Sequence, residues 1–99
     1  MTGHFPRHEL YGLTSQMRRC ASSIAANIAE GRARSSDADF RRFLYLAAGS
    51  VAELETFLEL SRRLHYASEE KLERMRAATR EVGRMLYGLI RAITRSIES

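Results

Sequence analysis

Arg76, Arg80 and Arg84 recur every four residues, and Arg91 and Arg95 continue roughly along the same helical face. Like charges at this spacing mildly destabilise an isolated helix, so holding the helix together does not account for them. Phosphates along a nucleic-acid backbone would neutralise such a row. The competing reading is a solvated face relieved by Glu73 and Glu81, each three residues before an arginine. A second basic group, Arg18, Arg19, Arg32, Arg34, Arg41 and Arg42, is expected around the first interhelical connection, its surplus reduced by Glu30, Asp37 and Asp39. No aromatic-rich strand or RNA-recognition signature accompanies either group. The expected binding, to RNA or DNA, therefore follows shape and phosphate rather than base identity.

Other reactive side chains carry less. His4 and His8 have the spacing of a helical metal pair, but Pro6 disfavours helix at Phe5, and no third ligand is evident. Carboxylate-bridged di-metal bundles need Glu-x-x-His motifs, and Phe5 and Arg62 stand three residues before His8 and His65. No metal or other cofactor is expected. Glu53, Glu55 and Glu59 form the densest carboxylate group of the middle segment, and salt-bridge roles suit them better than acid–base catalysis. Cys20 sits on an apolar helical stripe with no histidine near it in sequence, which fits packing rather than nucleophilic chemistry. The expected protein is not an enzyme.

The 99 residues carry a formal charge of +4, and fifteen of the sixteen basic residues are arginine. A surplus this small permits nucleic-acid binding without requiring it. One cysteine allows no internal disulfide, and no apolar run approaches the ~18 residues of a membrane span. A cytoplasmic protein without membrane association is expected.

These side chains need long helices to position them, and the sequence supplies three, with one proline in the whole chain. The first is predicted from about Arg7 to Ala33. Met17, Cys20, Ala21, Ile24 and Ile28 form its stripe, and so many small residues lie between them that it is expected to be the central element. Asn27 continues the spacing of Cys20 and Ile24 and is read as fixing register, as buried asparagines do in coiled coils. Ser36, followed by Asp37 and Asp39, caps a second helix running to about Leu64. Gly49 within Ala47-Ala-Gly-Ser50 suggests a close backbone contact with the first helix. Ser68, with Glu69 and Glu70, starts a third helix running to about Ile97. There Leu72, Met75, Thr79, Val82, Leu86, Leu89 and Ile93 keep a near-heptad seam. Short connections make the helices antiparallel: one all-α, up-and-down bundle domain over residues 1–99.

Gln16-Met-Arg-Arg-Cys-Ala-Ser-Ser-Ile-Ala-Ala-Asn-Ile-Ala-Glu-Gly31 resembles the signature segment of the four helix bundle protein family, small bacterial proteins encoded in intervening sequences of 23S ribosomal RNA genes. Phe40-Arg-Arg-Phe-Leu and Gly49-Ser-Val-Ala-Glu-Leu-Glu-Thr56 resemble its second signature. Asn27, Glu30 and Gly31 fall in the first, Gly49 and Glu53 in the second. Two departures show, Ala25 for a usual proline and Cys20 for a usual alanine; without the proline the helix should run straighter. Set against the family, Met1 falls where the first of four helices should be ending, so the chain reads as three helices with the family's first one missing, through either a misplaced start codon or a natural three-helix remnant. A missing helix should leave Leu10, Leu13, Ile90 and Ile97 partly uncovered, and exposed apolar patches of that kind mark interfaces. The resemblance implies a ring-shaped homopentamer of largely unsettled function. A related bundle, the accessory variability determinant of diversity-generating retroelements, implies a reverse transcriptase and RNA as partners. The alternative is a protein–protein interaction module without nucleic-acid binding.

Overall fold

The structure, a computed structural model, describes residues 7–99. It is all α-helical, with α1 at Arg7–Arg32, α2 at Asp37–Arg63 and α3 at Glu69–Glu98. Each boundary lies within a residue of the predicted one. The caps explain this: the Ser36 and Ser68 hydroxyls accept hydrogen bonds from the Asp39 and Lys71 backbone N–H groups, both at 3.1 Å. α2 stops in a Schellman arrangement, with Tyr66 N–H donating to Ser61 O (3.0 Å) and His65 N–H to Arg62 O (3.2 Å). His65 takes the left-handed conformation this needs, with φ 57°. His4 and the side chain of His8, whose spacing alone resembled a metal pair, lie outside the described residues.

The helices run antiparallel in a single layer. Along α1 and α2, Met17 meets Ser61, Ser23 meets Ser50, and Gly31 meets Phe40 and Phe43. Along α2 and α3, Glu59 meets Arg76, Val51 meets Gly83, and Arg41 meets Thr94. No Cα of α1 comes within 8 Å of α3. Principal-axis extents of 59 × 22 × 13 Å fit this arrangement. Three helices side by side put their outer axes about 16–20 Å apart, and the Cα cylinders add about 4.6 Å. α2, not α1, is therefore the central element. The small residues that suggested otherwise, Ala21, Ala25, Ala26 and Ala29, are exposed.

The core runs along α2. Leu44, Ala47, Val51, Leu86 and Ile90 are buried together, and Leu58 and Leu72 are sealed near the second connection. Asn27 Nδ2 donates to Ser23 O (2.8 Å) and Oγ (3.1 Å), and Ser50 Oγ donates to Ser23 Oγ (2.9 Å). The amide bonds of Asn27 thus stay within α1, and the hydrogen bond that crosses to α2 is the one between Ser50 and Ser23.

The heptad seam of α3 divides. Leu72, Thr79 and Leu86 turn to α2, whereas Met75, Val82, Leu89 and Ile93 stay partly exposed. Alongside Ile24, Ile28 and Leu54, Val82 lines an apolar groove of about 350 Å³ that runs over α2 between α1 and α3. Leu10 and Ile97 are exposed as expected, but Leu13 and Ile90 are buried at the α2 contacts. An apolar stripe wider than α2 can cover leaves its outer half open. The chain exposes 6794 Å², against about 5,700 Å² for a compact monomer of this mass.

Gly31, rather than Gly49, is the glycine at a close approach. A Cβ on Gly31 would lie 2.8 Å from Phe40 Cδ1 and 2.9 Å from Phe43 Cβ, whereas one on Gly49 meets nothing within 4 Å. Gly31→Ala should destabilise the protein by about 1–3 kcal/mol, since Phe43 Cβ cannot move without its helix. Gly49→Ala should stabilise it by about 0.5–1 kcal/mol through helix propensity. Denaturant unfolding of the two variants checks this contrast.

Candidate nucleic-acid interface

On the side of the layer away from the apolar groove, α2 and α3 form a second groove of about 420 Å³. Its α2 wall carries Ala48, Val51, Ala52 and Glu55, and its α3 wall Arg80, Gly83, Arg84, Tyr87 and Arg91. Ala52 and Leu54 are two residues apart, as are Arg84 and Val82, so each pair stands about 160° apart on its helix. The two grooves thus occupy opposite faces, one apolar and one bearing arginines.

The arginine row is real but partly neutralised. Arg76 lies 3.8 Å from Glu59 and Arg80 3.5 Å from Glu73, and Arg84 pairs with Glu81. These pairs are solvent-exposed or nearly so, and exposed pairs hold their partners weakly enough for a phosphate to compete. Among the described residues Arg91 and Arg95 have no partner. Arg41 joins the row from α2 by donating to Thr94 Oγ1 at 3.1 Å.

The second basic group does not form one cluster. Arg34 and Arg42 place their guanidinium carbons 4.8 and 4.4 Å from the centre of the Phe43 ring. Arg34 also pairs with Glu30 (2.8 Å), and Arg42 with Asp39 (3.0 Å). Arg41 turns away to α3. Arg18 and Arg19 lie about 20 Å along α1 from Arg32, with Arg19 bonded to Gln16. A hairpin of sequence neighbours had suggested one patch; the helical turn sends their side chains to different surfaces.

Of the three carboxylates, Glu59 alone is in salt bridges among the described residues. Arg62 binds it in bidentate fashion at 3.1 and 2.6 Å, Arg63 adds 2.9 Å, and Arg76 approaches from α3. The hydrogen bonds from Arg62 and then Arg63 lower its carboxyl from the ordinary 4.5 to about 2. Glu53 approaches Cys20 Sγ at 4.0 Å instead. Burial, followed by the Glu53 charge, raises the Cys20 thiol and keeps it a poor nucleophile, with Arg19 opposing weakly. Glu55 has no partner among the described residues, and neither it nor Tyr87 stood out as a groove residue in the sequence. Tyr87 lies one turn from both Arg84 and Arg91, so the stripe could have included it; Glu55 needed the α2–α3 register. Among the described residues no three His, Cys, Asp or Glu side chains are grouped to hold a metal ion, and no helix is long and apolar enough to cross a membrane.

Fold and surfaces define a class: a three-helix bundle, one layer thick among the described residues, with an apolar face and an arginine-bearing face. The chain belongs to the 23S rRNA-intervening sequence protein family, whose pattern matches residues 1–88. It is also similar to a crystal structure of a protein of unknown function from the S23 ribosomal protein family of Bacteroides thetaiotaomicron. That chain is 33% identical, with a TM-score of 0.77 over 80% of this chain and 70% of that one. No functionally curated protein matches.

Glu59 should make stability pH-dependent with a definite sign. Its carboxyl is depressed by folding, so its contribution is present above pH 4.5 and is lost as pH falls towards 2. Glu59→Gln should lower Tm slightly at pH 7, and the gap to wild type should close across that acid window. Thermal melts of both proteins at stepped pH measure this.

Proposed function

We propose that this protein is a non-catalytic, cytoplasmic scaffold that binds the phosphate backbone of nucleic acid along its α2–α3 face and self-associates through its apolar face. The observation that carries the nucleic-acid reading is the alignment of Arg80, Arg84 and Arg91 in one groove, and Arg41 of α2 crosses to α3 nearby by its hydrogen bond to Thr94. Guanidinium groups suit phosphate oxygens through paired N–H donors, and their exposed glutamate partners are exchangeable. The family's connection with 23S rRNA intervening sequences makes RNA the first polymer to test. The apolar groove supports association, because a surface of that kind is stabilised by covering it. A reverse transcriptase would be a partner of the assembled scaffold and not of one groove.

A second reading, a protein-interaction module with merely solvated arginines, is favoured by the ion pairs at Arg76, Arg80 and Arg84. Salt separates the two, since phosphate contacts weaken steeply as ionic strength rises and apolar contacts do not. Replacing Arg76, Arg80 and Arg84 together with Gln should weaken RNA binding and reduce the log–log salt slope by about 2 for a single strand. Helicity by circular dichroism should not change. Unchanged affinity and slope would remove this face as the nucleic-acid site and leave the second reading.

A further inference from the structure

The α2–α3 groove has walls of different chemistry. Glu55 stands on one, and Arg80, Arg84, Tyr87 and Arg91 on the other. A surface for phosphate alone gains nothing from a carboxylate at its edge, since that charge repels the ligand. Nor does Glu55 serve the fold, because among the described residues it makes no ion pair or hydrogen bond. Arg91 is likewise without a partner there. Tyr87 is 49% exposed and its side chain lines the groove. Gly83 lies in the same groove, and packing does not demand a glycine: a Cβ would stand 3.5 Å from Val51 Cγ1, an ordinary contact. In mid-helix it costs helix propensity, and what it provides is open space between the walls. A groove of about 420 Å³ lies within the range of small-ligand sites.

We propose that this groove takes an unpaired, amino-bearing nucleotide, cytidine above all, of a single-stranded nucleic acid. The base stacks on Tyr87 and donates its exocyclic amine to Glu55, while the adjoining phosphates meet Arg84 and Arg91. A carboxylate is the usual acceptor for the cytosine amino group, whereas uracil presents a carbonyl at that position. Stacking on an exposed aromatic ring is the common device of single-strand binders. A duplex leaves one amine hydrogen in its major groove but hides the base face between its neighbours, so it cannot stack on Tyr87 and make both contacts together. This inference rests on the nucleic-acid reading above and adds base preference to it.

The test is fluorescence anisotropy of the full chain at low salt with labelled oligocytidylate and oligouridylate of equal length, as RNA and as DNA. Wild type should bind the cytidine strands about five- to tenfold more tightly than the uridine RNA or its deoxyuridine counterpart. Glu55→Gln should abolish that preference and tighten binding of the uridine strand, because a repulsive charge is gone. Tyr87→Leu should weaken both. Equal affinity of wild type for both bases, or a preference that survives Glu55→Gln, would overturn the base contact while leaving backbone binding intact. No binding of any strand would overturn the backbone reading, and this proposal with it. Comparing the RNA and DNA arms shows whether the ribose hydroxyl contributes; preference for cytosine in either arm supports the proposal.

Discussion

α2 is the one helix that packs on both of its neighbours, and the surface properties of the molecule follow from that burial. Its two flanks carry different side chains: Phe43, Ser50 and Ser61 meet α1, and Leu44, Ala48 and Val51 meet α3. Because α1 and α3 each lean on α2 and not on each other, neither can bury its whole apolar stripe. The layer therefore keeps an open apolar face between its outer helices. On the opposite side, the same α2–α3 contact brings the arginines of α3 to the edge of a groove whose other wall belongs to α2. Two surfaces of unlike chemistry thus come from one packing constraint.

The local structure was largely legible in the sequence. Serine hydroxyls before acidic first turns define the starts of α2 and α3, and one proline in the chain leaves the helices uninterrupted. Periodicity also found the apolar side of each helix. What it could not supply was which part of a stripe has a neighbour. Met75 and Leu89 have the same spacing credentials as Leu72 and Leu86, yet they are more than a third exposed. The alanines of α1 suggest centrality by their small size, but small residues suit an uncovered face equally well. The close approach that the small-residue patch at Gly49 suggests occurs instead at Gly31, where two phenylalanines cross the end of α1.

The candidate site was legible in part. The helical spacing of the α3 arginines is a local property and carried over into the fold. Their counterions were only half visible: Glu81 lies three residues before Arg84, but the approach of Glu59 to Arg76 depends on the register between α2 and α3. The same holds for Glu55 and Tyr87, which come from two helices and share a groove only after folding. The first-hairpin arginines show the opposite error. Closeness in sequence suggested one patch, whereas a 100° turn per residue sends Arg41 and Arg42 to different partners.

The apolar face over α2 is proposed to be covered by another molecule of the chain. Native mass by light scattering, followed over protein concentration at moderate and high salt, tests it most directly. A defined assembly larger than one chain should form and persist at high salt, since apolar burial is not screened. A monomer of 11.3 kDa at every concentration and salt would contradict it.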